Sequence, residues 1–143
     1  MRSNFVLRKA VIDDARTIRQ MVRDEWLNPF GLNWQNFWVI ENEYTAIACG
    51  QLRPRDDIKE LSSLAVISKY RKQGIGTYLV RHIIRQTDKK VYLSCGSNLE
   101  SFYDRLGFEQ VSWSKLPGQL KSEFGLSRTI ATIRRKQLIF MKH

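Results

Sequence analysis

A chain of 143 residues with 43% hydrophobic and 27% charged residues has the size and composition of one soluble globular domain with its own core. This balance disfavours a disordered protein or a coiled coil. No stretch approaches a signal peptide or the roughly 20 apolar residues of a membrane span, so we expect a cytoplasmic protein. The net charge of +10 fits a nucleic acid, an acidic substrate or a phosphorylated cofactor as partner.

Cysteine and histidine are scarce in this sequence. Cys49 and Cys95 are its two cysteines, and neither Cys-x-x-Cys nor Cys/His spacing is present. We therefore expect two buried free thiols rather than a disulfide or a metal site. The two histidines, His82 and His143, leave little for histidine-based catalysis, and His82 lies among basic residues, where we expect it to be solvated. The basic residues are spread over several predicted elements, and no RNA-binding aromatic motif is visible.

The start of the chain is predicted to form a strand and a helix. Residues 5–8 have the pattern of a strand, and Asp13 or Asp14 is a good N-cap for the helix that follows. A second helix is predicted as an option between residues 32 and 37, where Trp34 fits either the core or the wall of a substrate groove. The apolar residues of the first helix recur at helical spacing and should face a sheet: Ala15, Ile18, Met21, Val22 and Trp26.

A hairpin and a further strand are predicted next. Residues 37–40 and 44–52 have strand composition, with a turn at 42–43 between them. After a polar turn at 53–57, residues 60–67 predict a strand that leads into a polar loop. An antiparallel meander that feeds a strand, a loop and a helix indicates a mixed sheet rather than a doubly wound one.

Residues 64–77 combine an apolar strand, a basic turn and the start of a helix. A helix that begins at such a loop presents free backbone N–H groups and the positive end of its dipole, which favours a phosphate. Gly74 and Gly76 lack a Cβ, so an anion can approach the main chain there. A dinucleotide fingerprint would need glycine in place of Leu79, and the Walker pattern is absent, which disfavours both nucleotide-binding interpretations.

The second half of the chain continues this strand, loop and helix unit. Because the helix after the loop is a crossover, the short strand at 91–93 should run parallel to the strand before the loop. Residues 96–98 open another helix, which Gly107 should end at a C′ position, and a strand at 108–113 follows. The buried face of the crossover helix is predicted to contain Ile75, Leu79, Val80, Ile83 and Ile84.

Two motifs, in this order, resemble those of the GNAT superfamily of N-acetyltransferases. Residues 64–76 read Leu-Ala-Val-x-x-x-Tyr-Arg-x-x-Gly-Ile-Gly, which is similar to the family's acetyl-CoA pyrophosphate loop. Residues 98–108 read Asn-x-x-x-Phe-Tyr-x-x-Leu-Gly-Phe, which is similar to the pattern after its fifth strand. The opening at 7–15, Leu-Arg-x-Ala-x-x-x-Asp-Ala, resembles the family's first strand and helix. The resemblance covers roughly residues 4–113 and the last strand at 137–141.

One segment departs from the family's pattern. Members commonly join strands six and seven by a short turn, whereas residues 114–136 intervene here and include the basic run Arg134, Arg135 and Lys136. Together with residues 27–34, this segment resembles GNAT proteins of cyanobacteria and plastids. Long connections are usually functional or disordered. We expect helical character in it, and either a lid over the acceptor side or a surface insertion.

The resemblance implies a fold and a cofactor. The fold is α/β of the α+β type, with a mixed, mostly antiparallel sheet of about seven strands flanked by helices and splayed between strands 4 and 5, in one domain over residues 1–143. The cofactor is acetyl-CoA, with its pyrophosphate on residues 71–77 and its pantetheine arm along the backbone of residues 64–66. The implied cofactor-binding residues are Leu64, Ala65, Val66, Arg71, Lys72, Gln73, Gly74, Ile75, Gly76, Thr77, Asn98 and Tyr103.

The resemblance also implies catalytic roles. The amine, with a pKa of about 10.4, must lose a proton before attack, and Glu60 is the implied base unless it is a strand-start glutamate that faces water. Tyr103 is the implied proton donor to the leaving thiolate, with packing as the alternative. The N–H of Val66 is a candidate donor to the thioester carbonyl. Asn98 is expected to cap a helix and to contact the pantetheine arm.

The expected function is transfer of an acetyl group from acetyl-CoA to an amine. The acceptor is a small amine, an amino acid, or a protein lysine or N-terminus, and the sequence does not choose among these. Two alternatives keep the fold without turnover: a nucleic-acid-associated domain, motivated by the net charge of +10, and an acyl-CoA sensor. We expect no metal, no membrane and no nucleic-acid partner, although the charge leaves nucleic acid open, and a monomer or homodimer.

Overall fold

The structure is a computed structural model that describes residues 4–133 and 137–143. Among these residues, seven strands form one sheet in the order β1-β2-β3-β4-β5-β7-β6. The strands are β1 (Phe5–Lys9), β2 (Phe37–Asn42), β3 (Thr45–Arg55), β4 (Ile58–Val66), β5 (Val91–Gly96), β6 (Glu109–Val111) and β7 (Leu138–Lys142). The helices are α1 (Ala15–Asp24), α2 (Ile75–Ile84), α3 (Glu100–Asp104) and α4 (Gly118–Ile133). In the part of the chain so described, no helix has both the length and the apolar character to cross a membrane.

The pairing of the strands confirms the predicted mixed sheet. β1 with β2, β2 with β3, β5 with β7 and β6 with β7 pair antiparallel. β4 and β5 pair parallel through Lys59 with Val91 and Glu60 with Tyr92, as a crossover through α2 requires. These two pairs lie in the first three residues of β4, which runs on to Val66.

Contacts divide the chain into two compact units, of which the first is Met1–Arg53 with Leu61–Asp88. In this unit the apolar stripe of α1 packs against β2, β3 and β4, and each large side chain that is fully buried contributes about 1.5–3 kcal/mol. The buried cluster contains Ala10, Ile18, Met21, Val22, Phe37, Val39, Ala46, Cys49 and Ala65, with Trp34 packed against it. The stripe prediction is therefore confirmed for the middle of α1, and Trp34 is half-buried against this cluster.

Some predicted details of the first half of the chain are wrong. Trp26 is 70% exposed with a φ of 55°, because α1 ends at Asp24 and the chain then turns out of helical geometry. The optional second helix is a single 3₁₀ turn, Trp34–Asn36. The predicted polar turn at 53–57 is shorter than expected, because β3 continues to Arg55 and β4 already begins at Ile58.

Asp14 lies at the N-cap position of α1, but its side chain does not cap the helix. Its carboxylate accepts hydrogen bonds from Arg8 Nη1 at 2.7 Å and Nη2 at 3.0 Å, and from the backbone N–H of Val11 at 2.7 Å. The hydrogen bond from Arg8 is the largest effect on the pKa of Asp14 and lowers it below its usual range. Burial opposes this shift, and the hydrogen bond from the Val11 N–H adds to it. The predicted N-cap position is therefore confirmed for Asp14, but its carboxylate makes no capping bond and instead ties β1 to the start of the helical segment.

The second unit comprises Pro54–Glu60 and Lys89–His143. Its apolar cluster includes α4, whose Leu120 and Phe124 are fully buried, and the rings of Phe124 and Phe140 stack with centroids 5.6 Å apart. The helical character predicted for residues 114–136 is thus confirmed over Gly118–Ile133, and the surface-insertion alternative is wrong for the buried part of α4. The basic run at 134–136 lies outside the described residues, and the lid stays a prediction.

The end of α3 follows the predicted Gly107 stop. Gly107 has a φ of 94°, its N–H donates to the Asp104 carbonyl at 3.0 Å, and the Phe108 N–H donates to the Tyr103 carbonyl at 3.1 Å. This pair of bonds is a Schellman motif with glycine at C′. It holds the last turn of the helix that carries Tyr103. The strand after it is shorter than predicted, since β6 ends at Val111 and a 3₁₀ turn follows from Trp113.

Candidate active site

The loop between β4 and α2 has the geometry expected of an anion-binding loop. Gly74 is the N-cap of α2 with a φ of 80°, and no side chain caps the helix. A Cβ at Gly74 would meet nothing within 4 Å, so the left-handed backbone, rather than lack of space, favours glycine there. The first N–H groups of an α-helix have no partner within it, and residues 71–74 are exposed. These backbone donors can reach a phosphate.

The start of this loop is anchored within the first unit. The Tyr70 hydroxyl accepts a hydrogen bond from Asn42 Nδ2 at 3.0 Å. The Tyr70 ring packs edge-on against Phe5, with centroids 5.9 Å apart. Two backbone bonds close the 3₁₀ turn before the loop, from Tyr70 N–H to Ile67 and from Arg71 N–H to Ser68. The loop therefore holds its conformation through contacts to β1 and β2.

Arg71, a predicted phosphate ligand, is bound by groups of the protein itself. Its Nε donates to the Val66 carbonyl at 3.0 Å, and its Nη2 forms an ion pair with the carboxylate of Glu25, the C-cap of α1. Lys72 is exposed and has a φ of 61°. With Lys69, the loop thus carries three cations, and one of them, Arg71, holds α1 to the end of β4.

The backbone that leads into the loop is irregular. Ser63, in the middle of β4, has a φ of 57°, a conformation that costs a non-glycine residue of order 1–3 kcal/mol. Its carbonyl accepts a hydrogen bond from Cys49 Sγ at 3.5 Å. A left-handed residue interrupts the regular path of a strand. Leu64, Ala65 and Val66 follow this break, and serine gives no sequence signal for it.

A pocket of about 100 Å³ lies at this end of β4. Met21, Asp24 and Glu25 of α1 and its C-cap form one side, and residues 65–68 form the other. It therefore includes two of the predicted pantetheine-binding residues, Ala65 and Val66. The sequence analysis missed the contribution of α1, because acidic residues at the exposed end of an amphipathic helix are ordinary.

In the second unit, Tyr103 is buried at 5% exposure between aromatic rings. The ring centroids of Phe102 and Phe108 lie 4.9 Å and 5.5 Å away. Burial raises the pKa of Tyr103 above its ordinary value, and the neighbouring Cys95 adds to this effect. The side chain therefore packs as a core residue and also stays a neutral phenol, which can donate a hydrogen bond.

One interpretation of the sequence expected Glu60 to face water, but the structure buries this side chain. It is 4% exposed, and Arg55 Nε and Nη2 both lie 3.2 Å from its Oε1. Arg55, the last residue of β3, also forms an ion pair with Glu123 of α4. A buried carboxylate needs such a partner, because an unpaired charge is costly away from water. The contact between Arg55 and Glu123 could not be predicted from the sequence, since the two residues lie 68 positions apart.

Asn98 does not cap a helix, so that prediction is wrong. It lies in a 3₁₀ turn, Ser97–Leu99, and the N-cap of α3 is Leu99, which makes no side-chain capping bond. The Oδ1 of Asn98 lies 2.6 Å from the position that a Cβ on Gly96 would occupy, so glycine leaves room for this side chain. Asn98 is exposed, and its contact with a pantetheine arm remains a prediction.

The two cysteines are not activated as nucleophiles, and His82 is packed against an aromatic ring. Cys49 and Cys95 are buried free thiols, as predicted, and burial raises the pKa of each to about 12. His82 is not solvated as expected: its ring lies 4.4 Å from that of Trp38, and its Nε2 is buried without a partner in the described structure. Burial is the larger cause that lowers the pKa of His82, and the charge of Arg85 adds to it.

No group of three histidine, cysteine, aspartate or glutamate side chains within residues 4–133 and 137–143 is placed to hold a metal ion.

Comparison with known proteins gives one family match. Residues 33–110, more than half of the chain, match the family model described as acetyltransferase (GNAT) domain. A comparison with curated protein sequences gave no significant match.

Solved structures match over nearly the whole chain. N-acetylglutamate synthase from Neisseria gonorrhoeae, complexed with coenzyme A and N-acetyl-glutamate, gives a TM-score of 0.77 at 19% identity, over 98% of this chain and 35% of that one. Rv2747 from Mycobacterium tuberculosis, in complex with CoA, gives 0.76 at 20% identity, over 96% and 97%. Escherichia coli ElaA gives 0.68 at 14%, over 97% and 99%. The chain spans about a third of the synthase chains, and at these identities the likeness shows the fold alone.

Proposed function

Because this chain belongs to the acetyltransferase (GNAT) domain family, we propose that it is an N-acetyltransferase that transfers the acetyl group of acetyl-CoA directly to a primary amine. The observation that carries the proposal is the run from Ser63 to Ile75: an interrupted strand, an anchored turn, and a helix start without a side-chain cap, all in one compact unit. CoA is bound in the structures of the Neisseria and Mycobacterium proteins, which supports this cofactor. We propose a single catalytic domain over residues 1–143.

The cofactor would bind in two sections. Its pyrophosphate accepts hydrogen bonds from the backbone N–H groups of residues 74–77 and meets the charges of Arg71 and Lys72. Gln73, Ile75 and Thr77 belong to this section through their backbone. The pantetheine arm forms hydrogen bonds with the backbone of residues 64–66, after the break at Ser63, because unpaired strand groups need a partner.

The reaction forms the amide C–N bond and breaks the thioester C–S bond. The amine attacks in its neutral form, the N–H of Val66 donates to the carbonyl oxygen as it becomes negative, and the sulfur leaves as a thiolate. Tyr103 donates a hydrogen bond to that thiolate. Because the Tyr103 phenol has a raised pKa and a thiol has one of about 8.5, the hydrogen bond stabilises the thiolate more readily than full proton transfer.

Glu60 remains the proposed base for the amine proton. Arg55 holds the Glu60 carboxylate in place through an ion pair. If Glu60 is the base, the carboxylate that accepts the amine proton is therefore also one that stabilises the second unit. Cysteine chemistry is disfavoured, because thiols with a pKa of about 12 hold little thiolate at neutral pH. This supports direct transfer over an acetyl-cysteine intermediate. The cytoplasmic location, the monomer or homodimer, and the closeness to cyanobacterial and plastid proteins remain predictions.

The first test is calorimetric titration of the folded protein with acetyl-CoA, CoA and desulfo-CoA, with ATP and NAD as controls. Micromolar binding of the CoA compounds alone supports the proposal. Absence of any CoA binding in a folded sample contradicts it. Acceptors are then sought by following thiol release with amines, amino acids and peptides, and binding without turnover on any of them would favour the acyl-CoA sensor.

A second candidate is supported by one face of α1. Arg16, Arg19 and Arg23 are exposed at spacings of three and four, so they form a basic stripe that no part of the catalytic proposal uses. Such a stripe attracts a polyanion. A nucleic-acid role would require binding that falls steeply with salt concentration and that is lost when the three arginines are changed to glutamine.

A further inference from the structure

Arg71 makes two contacts that the proposed cofactor would have to replace. Its guanidinium pairs with Glu25 and donates to the Val66 carbonyl at 3.0 Å. If the cofactor binds as proposed above, its phosphates need the guanidinium, and its pantetheine arm needs the backbone of Val66. The Arg71 side chain therefore has to leave Glu25 and the Val66 carbonyl before the cofactor can bind in this way.

The pair is exposed enough to exchange partners. The side chain of Arg71 is 45% exposed and that of Glu25 is 32% exposed, so water screens their attraction. A phosphate offers more negative charge and more acceptor atoms than one carboxylate, and guanidinium binds it in a bidentate way. The guanidinium should therefore move from Glu25 to the cofactor.

Glu25 then faces the pocket at the end of β4. The pocket is lined by the α1 end on one side and by Val66 and its neighbours on the other. The guanidinium already shows that a cationic group fits against both the Glu25 carboxylate and the Val66 carbonyl. Once Arg71 leaves for the cofactor, the Glu25 carboxylate is available to another cation, at the pocket that also includes Val66.

We propose that Glu25 is a specificity-determining residue of this enzyme. Before the cofactor binds, Glu25 holds Arg71, and after the cofactor has recruited Arg71, the Glu25 carboxylate binds the non-reacting cationic group of an acceptor that carries a second amine or a guanidinium, while the other amine attacks in its neutral form. This inference rests on the proposed function. It makes cofactor binding precede acceptor binding, and it selects cationic amines over amino acids with an acidic side chain.

The first arm of the test measures CoA affinity by calorimetry in a double-mutant cycle. Glu25→Gln should tighten CoA binding about two- to fivefold, the range expected for release of a half-exposed ion pair. Arg71→Gln should weaken it, and Glu25→Gln should then have no further specific effect. Asp24→Asn is the matched control, since Asp24 lines the same pocket but bonds to Gln20 rather than Arg71.

The outcomes of this arm are distinct. If Glu25→Gln and Asp24→Asn changed CoA affinity equally, both changes would reflect only the loss of a negative charge near the cofactor. That result would overturn the proposal that Arg71 moves from Glu25 to the cofactor. A Glu25→Gln effect that persists in the Arg71→Gln background would overturn it as well. No CoA binding by the folded, unaltered protein would overturn the proposed function instead.

The second arm tests the acceptor with acetyl-CoA and defined amines. The unaltered chain should acetylate 1,4-diaminobutane or agmatine in preference to glutamate, and Glu25→Gln should raise KM for the cationic amine about tenfold, with a smaller effect on kcat. A preference for glutamate, acetylation of neither class by a chain that binds CoA, or an unchanged KM in Glu25→Gln would overturn the acceptor role of Glu25.

Discussion

The Arg55 guanidinium lies 3.2 Å from the buried carboxylate of Glu60, and this pair connects the end of β3 with the start of β4. Arg55 also pairs with Glu123, so one arginine serves two carboxylates in the second unit. Glu60 therefore has a structural role whatever its part in catalysis. Experiments on Glu60 must measure stability and chemistry separately.

Glu60→Gln should lower the free energy of unfolding by about 1–3 kcal/mol, because it removes one partner of a buried ion pair. If Glu60 is the base, the same change should also alter the pH–rate profile of the folded fraction. Glu109→Gln is the control, since Glu109 pairs with Lys142 at 3.6 Å on the surface and should change stability by no more than about 0.5 kcal/mol. Equal stability of the two variants in urea titrations would contradict the buried-pair argument.

Tyr103→Phe should reduce kcat about 100-fold while CoA affinity and stability stay close to those of the unaltered protein. Phenylalanine preserves the packing against Phe102 and Phe108 but removes the hydroxyl donor. Because the pKa of Tyr103 is raised, no loss of activity from phenol ionisation is expected below about pH 10. Tyr92→Phe provides the same chemical change outside the proposed site, and full activity of Tyr103→Phe would leave Tyr103 with packing alone.

Gly76→Glu should abolish CoA binding without unfolding the chain. Gly76 is the second residue of α2, where a carboxylate interacts favourably with the helix dipole but repels a phosphate at the same amides. Gly76→Gln has the same size without the charge, so the pair of variants separates steric from electrostatic effects. Calorimetry with CoA, together with circular dichroism, is the measurement, and unchanged affinity in the folded glutamate variant would exclude the loop from its assigned role.

Phe124→Ala should cost about 3–5 kcal/mol of stability, because Phe124 is 1% exposed and stacks on Phe140. Ser122→Ala, on the exposed side of the same helix, should be nearly neutral. Thermal or urea unfolding of both variants provides the comparison. A mild effect at Phe124 would mean that α4 is not part of the core of the second unit.

Asp14→Asn should destabilise the protein at neutral pH by about 1–3 kcal/mol. The pKa of Asp14 is lower in the folded chain, chiefly through Arg8, so its stabilising effect is present above the unfolded pKa of about 3.9 and is lost as the pH falls below that value. The stability difference between Asp14→Asn and the unaltered protein should therefore shrink on acidification below about pH 4. Asp13→Asn, at the exposed neighbouring position, is the control, and a pH-independent difference would rule out this electrostatic explanation.

Local sequence patterns were sufficient for the order of elements, the parallel β4–β5 pair and the Gly107 stop, because each depends on spacing or on one residue's backbone preference. They were insufficient wherever a side chain's partner lies far along the chain. For Glu60 the alternative to the base role was a water-facing strand start, and nothing near it in sequence indicates that its partner Arg55 also pairs with Glu123 of α4. Asn98 likewise had the composition of a cap, but the helix starts after Leu99.

The candidate site shows the same division. The glycine-containing loop was visible because an uncapped helix start after a strand has a recognisable composition. Ser63 was not visible, because a serine in left-handed conformation is held there by its surroundings rather than by its own preference. Glu25 was hidden as well, since its contact with Arg71 spans 46 positions.

The Tyr70 anchor has a consequence for the speed of ligand capture. Since Asn42 and Phe5 hold the start of the loop in place, the loop loses its conformational freedom when the chain folds rather than when a ligand arrives. Association with a phosphorylated ligand should then be limited by diffusion and steered by the basic loop, so its rate constant should fall with ionic strength and show no slow, concentration-independent phase.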